Sequence, residues 1–148
     1  MKRLHVHLRV DDLDQSIKFY TALFGCEPAR READYAKWLI EEPPANIAVS
    51  SRGGEGRAGV DHIGIQLDDD TALGAVAARL TAANAQIAKE ADATCCYARS
   101  NKYWALSPEG ARWELFHTFG DSTTFGEEPT FTTDAGANAA PAACCGGK

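Results

Sequence analysis

Long hydrophobic runs are missing from this 148-residue chain. No stretch approaches the ~18 consecutive apolar residues that a membrane span requires, so a membrane-embedded reading is set aside. Excess positive charge is missing too: 15 Lys and Arg stand against 21 Asp and Glu, a net charge of -6, and no basic cluster interrupts the balance. That excludes a nucleic-acid footprint. Cysteine is scarce at five, an odd number, and four of the five lie in the adjacent pairs Cys95-Cys96 and Cys144-Cys145. Neighbouring residues do not easily reach bridge geometry, so a disulfide framework is excluded and reduced thiols are expected. The opening Met1-Lys2-Arg3-Leu4-His5 passes straight into a patterned strand without the apolar stretch of a signal peptide. Together these absences predict a cytoplasmic protein. With 45% hydrophobic residues the chain can bury one core, from a single domain or two half-domains sharing it, but not two independent cores.

What is present is a repeat. Residues 5 to 10 read HVHLRV and residues 62 to 67 read HIGIQL, each followed by acidic residues and an amphipathic segment. Trp38-Leu39-Ile40 is answered by Trp104-Ala105-Leu106, and aligning the two tryptophans carries Ala48 opposite Glu114. From first histidine to tryptophan the copies run 33 and 42 positions, so the second carries nine extra residues, among them Cys95-Cys96.

In the first copy Leu4, Val6, Leu8 and Val10 alternate with His5, His7 and Arg9, the pattern of a half-buried strand. Asp11 or Asp12 caps a helix whose Leu13, Ile17, Tyr20 and Phe24 recur at helical spacing until Gly25. Strands over 36–40 and 47–50 flank the Pro43-Pro44 turn, with room for another before Trp38. A Gly-rich connector over 52–59 leads to a second strand over 62–67. Its helix carries the stripe Leu73, Val76, Ala77 and Leu80 and ends near Asn84. A cysteine loop on a flexible turn, a strand over 102–106, a Ser107-Pro108-Glu109-Gly110 turn and a strand over 112–118 complete the copy. The expectation is an α+β fold of two duplicated βαβββ modules, about 3–51 and 60–120, within one domain over 1–125. Residues 126–148, rich in small residues and turn formers, read as a mobile tail. Helices pack outside, the sheets curve together, and the polar strand faces converge around a central metal site.

Both copies offer a histidine on their first strand, but only the second offers a carboxylate on its last. His5, His62 and Glu114 form a two-histidine, one-carboxylate set that holds a metal and keeps coordination positions open. Taken singly, each reads as a solvated strand residue; coincidence in register across a duplication favours the metal. Zn(II), Mn(II), Ni(II) and Fe(II) all suit three such donors, and an open facial set is typical of Fe(II) that activates O2. Ala48, where a fourth carboxylate would stand, keeps the site open. His7 points to the same face as His5 and is the rival ligand. Cys95 and Cys96 can pinch one soft atom, since thiolates favour soft metals and metalloids; the other reading is a pair of buried small hydrophobes. Cys144-Cys145 repeats the pair in the tail, and Cys26 reads as packing. Tyr97, Tyr103 and Trp104 either shield a reaction from water or pack their strand, and Lys102 either helps place the loop or is solvated.

His5 with its alternating strand, Asp12-Leu13, Ser16-Ile17-Lys18-Phe19-Tyr20 and Leu23-Phe24-Gly25 resembles the opening of the vicinal oxygen chelate superfamily, over about residues 3 to 120. Thr94-Cys95-Cys96-Tyr97-Ala98-Arg99-Ser100-Asn101-Lys102 with Arg112-Trp113-Glu114 resembles the group containing organoarsenical carbon-arsenic lyases and cadmium-induced proteins. The resemblance implies an Fe(II)-dependent dioxygenase, with O2 as co-substrate, that cleaves the carbon-arsenic bond of trivalent organoarsenicals such as methylarsenite and trivalent aromatic arsenicals. Arsenite is the implied product, in arsenic detoxification. It makes His5, His62 and Glu114 the iron ligands and Cys95 with Cys96 the arsenic-binding pair. Some members carry glutamine at the first position; His5 favours tight metal binding. Other functions stay open: a thiol-based As(III) or Cd(II) binding protein without turnover, or a metalloenzyme of the glyoxalase or fosfomycin-resistance kind, which Ala48 counts against. The modules pair within one chain or swap between two in a homodimer.

Overall fold

The computed structural model describes residues 1–52 and 57–126. Cys144, Cys145 and the tail from residue 127 lie outside the described residues. Strand β1 (Arg3–Arg9) runs into helix α1 (Leu13–Phe24), which starts where the Asp12 carboxylate accepts the backbone N–H of Gln15 at 2.9 Å. It stops at Gly25, whose left-handed φ of 70° suits a residue without a side chain and whose N–H bonds the Thr21 carbonyl. Then follow β2 (Arg30–Arg31), β3 (Tyr35–Glu41) and β4 (Pro44–Ser50). The second copy repeats the plan with β5 (Gly59–Gln66), α2 (Asp70–Ala82, capped by Asp69), β6 (Ile87–Cys95), β7 (Ala98–Leu106) and β8 (Arg112–Asp121).

All eight strands join one sheet in the order β2-β3-β4-β1-β5-β8-β7-β6. Within each module the first strand lies parallel to the last, β1 beside β4 and β5 beside β8. The modules meet where β1 and β5 run antiparallel in the same chain, with His7 opposite His62 and His5 opposite Gly64. The β1–β5 ladder satisfies the backbone at the junction and joins the two modules in one curved mixed sheet, as expected.

The helices cover one face. Ile17 of α1 packs with Ala36, Trp38 and Val49, all buried, flanked by Leu8, Val10, Tyr20 and Phe24. Burying a side chain such as Ile17 or Val49 contributes about 1.5–3 kcal/mol, the scale that holds the helix on the sheet. Under α2 the corresponding cluster is Leu67, Leu73 and Leu115. Alternation sends the neighbouring residues of β1, β5 and β8 to the other face, where the histidines and Glu114 lie. Among the described residues, no helix is long and apolar enough to cross a membrane.

Two expectations are corrected. The tryptophans are not equivalent: Ala48 pairs with Lys37 on β3, whereas Glu114 pairs with Trp104 on β7. Trp38 consequently turns to α1 while Trp104 faces the histidines, since a slip of one position reverses the face. Ala48 and Glu114 remain counterparts, because His7 pairs with Ala48 and Gly64 with Glu114, each two residues beyond its module's first histidine. The cysteines sit on the tip of a tight β6–β7 hairpin rather than a flexible loop. Cys95 pairs with Ala98 across a two-residue turn in which Cys96 and Tyr97 have φ of 56° and 61°, the backbone of a type I′ turn.

Candidate metal and thiol site

Three neighbouring strands bring His5, His62 and Glu114 together. One donor atom from each lies within 4.8 Å of the others, and all three side chains are buried. Glu114 Oε2 stands 3.5 Å from His5 Nε2 and 3.3 Å from His62 Nε2. The outward nitrogens are engaged: His5 Nδ1 donates to the Asn46 carbonyl at 3.0 Å and His62 Nδ1 to Asp61 Oδ2 at 2.6 Å. Each bond fixes the ring with Nε2 directed inward, the arrangement that suits imidazole ligation. Lys102 Nζ takes Glu114 Oε1 at 2.6 Å, leaving Oε2 on the histidine side. Two imidazole nitrogens and one carboxylate oxygen so oriented can hold a divalent transition metal. Gly64 lets β8 come this close, since a Cβ there would lie 2.1 Å from the Glu114 carbonyl oxygen.

Burial sets the charges. It pushes His5 down to about 4, against the attraction of Glu114, so its Nε2 carries a free lone pair at neutral pH. Burial also opposes the charged form of His62, but the bonds and charges of Asp61 and Glu114 outweigh it and raise that ring to about 9. Glu114 stays well below the usual carboxylate range although fully enclosed, because Lys102 and His62 compensate its charge. Lys102 is held charged above its ordinary value by the same carboxylate despite burial.

The Cys95 and Cys96 sulfurs lie 3.2 Å apart as free thiols. Their shared hydrogen bond lowers Cys95, with Lys102 assisting, and raises Cys96 well above the ordinary value, where burial and the neighbouring thiolate add to the effect. Of the two, Cys95 is the more readily ionised and Cys96 the one that keeps its proton longer. Both thiols line two cavities, one bounded also by His62 and the other by His5 and Glu114. A single soft atom held by this pair therefore faces all three candidate ligands.

Other residues fall differently from expectation. Lys102 is only 2% exposed and braces Glu114, so it is not solvated; it lines the same cavity as Cys95 and Cys96. Tyr103 faces away from the site, in the cluster under α2. Cys26 is exposed and does not pack; only its carbonyl is engaged, by the Trp38 indole. His7 lines the cavity beside His62 and bonds Ser50 Oγ at 2.9 Å. Its alternative donor set with Asp61 and His62 also lies within 4.8 Å, but Asp61 is already committed to Arg9, Arg112 and His62 Nδ1. Trp104 packs edge-on to His62 at 5.1 Å. Ala48 is 1% exposed and packs with Tyr35 and Phe125, so aromatic rings fill the space beside it.

Tyr97 and residues distant from it in sequence seat the hairpin, and apart from Tyr97 none of them carries a local signal. Tyr97 Oη donates to Asp34 at 2.6 Å, and the Arg30 guanidinium donates to the Tyr97 carbonyl at 2.7 Å and the Ser122 carbonyl at 2.9 Å. Phe125 is buried against Tyr35 and Tyr97, and Gly126 pairs with Cys95 itself. Asp61, which orients the His62 ring, does stand one position before it in the sequence.

Comparison with known proteins agrees with this arrangement. Residues 2–115 match the family model of the Glyoxalase/Bleomycin resistance protein/Dioxygenase superfamily. The chain is 36% identical over 148 residues to the cadmium-induced protein CadI of Mycobacterium tuberculosis (strain ATCC 25618 / H37Rv), covering 100% of this chain and 95% of that protein. It is also 36% identical over 145 residues to a trivalent organoarsenical cleaving enzyme of Thermomonospora curvata, covering 98% and 89%. Among solved structures, an extradiol ring-cleaving dioxygenase from B. fuscum shares the fold with a TM-score of 0.58 at 15% identity, over 80% of this chain and 33% of that one. A duplicated module with a shared sheet, a donor set at the module junction and a family match over most of the chain lead to one assignment: the chain belongs to the glyoxalase/bleomycin resistance protein/dioxygenase superfamily.

Proposed function

We propose that the protein is an Fe(II)-dependent dioxygenase that cleaves the carbon-arsenic bond of trivalent organoarsenicals, the class of methylarsenite and the trivalent aromatic arsenicals, to give inorganic arsenite. The observation that carries this reading is the thiol pair, 3.2 Å apart, on the wall of both cavities that His5, His62 and Glu114 bound. Similarity to trivalent organoarsenical cleaving enzymes supports it.

Cys95, the more acidic thiol of the pair, attacks trivalent arsenic first as its thiolate, and the hydroxide it displaces leaves as water with the proton that the thiol gave up. Cys96 follows, its proton leaving with an arsenic hydroxyl as water. The two sulfurs replace two hydroxyls and fix arsenic in one orientation, its carbon substituent projecting toward the triad, which turns an encounter into an oriented event. Fe(II), when bound by His5, His62 and Glu114, supplies O2 activation at positions that three protein donors leave open. Lys102 keeps one oxygen of Glu114 occupied and the other directed at the histidines. Tyr35, Trp104 and Phe125 exclude water from the concavity. For methylarsenite the overall change balances as CH3As(OH)2 + O2 giving As(OH)3 and formaldehyde, O2 being the oxidant of the carbon; exchange of the two As–S bonds with water releases the arsenite and restores both thiols.

A second reading is favoured by the CadI similarity: a thiol-based As(III) or Cd(II) binding protein without turnover. Anaerobic Fe(II) loading, addition of methylarsenite and then O2, and arsenic speciation separate the two. The dioxygenase reading expects arsenite from the wild type, none from His62→Ala or Glu114→Ala with arsenical capture intact, and none from Cys95→Ser or Cys96→Ser with Fe(II) loading intact. Capture of methylarsenite with no arsenite formed would leave the binding-protein reading.

A further inference from the structure

The concavity is divided, and its compartments are small. The one bounded by His5, Lys37, Lys102 and Glu114 has about 40 Å³ of free volume, and the one bounded by His62, Trp104 and Phe125 about 20 Å³. One water needs ~10–15 Å³ on this measure, so neither compartment encloses an aromatic ring within its present walls, and a ring held there would push a wall back or extend through the open mouth. An apolar substituent on arsenic also avoids the first compartment, whose charged side chains would lose solvation against it. The second carries the His62, Trp104 and Phe125 rings beside His7, its Asp61 and Arg112 are paired with each other at 3.0 Å, and it opens from the same two sulfurs.

Phe125 sets the size of this second compartment. It lies beyond β8, 3% exposed, with its ring against Tyr35 at 6.0 Å and Tyr97 at 5.8 Å, and the Arg52 guanidinium 4.3 Å above it. The next residue, Gly126, pairs with Cys95, and a Cβ there would lie 1.7 Å from the Thr94 carbonyl oxygen. The segment is therefore seated tightly on the hairpin that carries the thiols. A larger substituent must displace Phe125 from a filled aromatic cluster.

We propose that the compartment beside His62 receives the carbon substituent of the arsenical and that Phe125 acts there as a size gate, selecting one-carbon substituents over aryl groups. This rests on the dioxygenase reading and narrows its substrate class. Forcing extra atoms into a filled site costs about 1–3 kcal/mol, which as a ratio is roughly 5- to 150-fold.

The test compares methylarsenite and phenylarsenite on the wild type, Phe125→Leu and Phe125→Ala. Two readouts are taken: dissociation constants on metal-free protein under anaerobic conditions, followed by quenching of tryptophan fluorescence, and kcat/KM of the Fe(II)-loaded enzyme. The wild type is expected to favour methylarsenite at least about 5-fold in both, with the ratio falling stepwise as residue 125 shrinks. Melting curves for each variant guard against misfolding, and the leucine variant retains most of the buried volume if the alanine variant does not fold. Equal use of both arsenicals by the wild type, or a ratio unchanged in a folded variant, overturns the gate. Absence of cleavage of either compound refutes the dioxygenase reading instead, and the binding ratio still decides the gate.

Discussion

Replacing Lys102 by methionine isolates the electrostatic core of the candidate site. Lys102 is 2% exposed, Glu114 is 5% exposed, and their charged atoms are 2.6 Å apart. Methionine keeps the apolar stem of lysine and removes only the charge, so packing changes little. A buried ion pair broken on one side leaves an uncompensated charge and costs about 3–5 kcal/mol. For a domain of this size that is a loss of roughly 10–20 °C in melting temperature. In the metal-free variant Glu114 retains only the His62 proton as close compensation. A divalent ion at His5, His62 and Glu114 would restore the missing positive charge. The deficit measured without metal should therefore shrink in saturating Mn(II), a hard ion that avoids thiolates. Paired thermal or urea unfolding of wild type and variant, with and without Mn(II), reads both effects. A metal-free deficit below about 1 kcal/mol would mean that the pair is screened as at a surface. A deficit that Mn(II) leaves unchanged would mean that Glu114 is not a ligand.

Gly64→Ala should lower stability and weaken Mn(II) binding together, because its Cβ would meet the Glu114 carbonyl oxygen at 2.1 Å and push β8 away; normal affinity in a folded variant, read by titration calorimetry, contradicts this. His62, raised to about 9, carries a proton at neutral pH that a cation must displace, so affinity should rise about tenfold per pH unit toward 9 with nearly one proton released; affinity flat between pH 7 and 8.5 refutes the assignment. The same proton stabilises the metal-free fold, fully below the unfolded value near 6.5, and that contribution is lost as pH rises through about 9. Truncation after Gly126 keeps Phe125 and its neighbour in place, and should leave turnover at saturating arsenical near that of the full chain while weakening capture at low concentration. Loss of turnover in the folded truncation would transfer arsenic binding to Cys144 and Cys145.

Much of this was legible where local pattern and chemistry coincide. Alternation over β1, the Asp12 cap and the Gly25 stop define the first strand and helix, and the histidines at the head of each copy mark two of the three clustered donors. Glu114 was reached through a tryptophan alignment that the structure breaks, since large apolar residues mark either face of a strand and do not fix register. Strand β6 was missed because Ile87-Ala88-Lys89-Glu90-Ala91-Asp92-Ala93 contains little of the β-branched and aromatic content that signals a strand; its pairing with β7 supplies what propensity does not. The hairpin turn lacks the Asn-Gly or Asp-Gly that its backbone usually selects. Lys102 read as solvated or loop-placing because lysine is rarely buried without a partner, and its partner, 12 positions away, is brought beside it only by the β7–β8 ladder.

The account depends on the thiol pair and the triad working on one molecule, and oxygen stoichiometry measures this most directly. Fe(II)-loaded protein is mixed with a limiting amount of methylarsenite in air-saturated buffer, and O2 uptake is recorded alongside arsenite release. The account predicts one O2 consumed for each arsenite released, with both lost in Cys95→Ser and in His62→Ala. Arsenite release without O2 uptake, or stoichiometric capture of methylarsenite with neither, would contradict it.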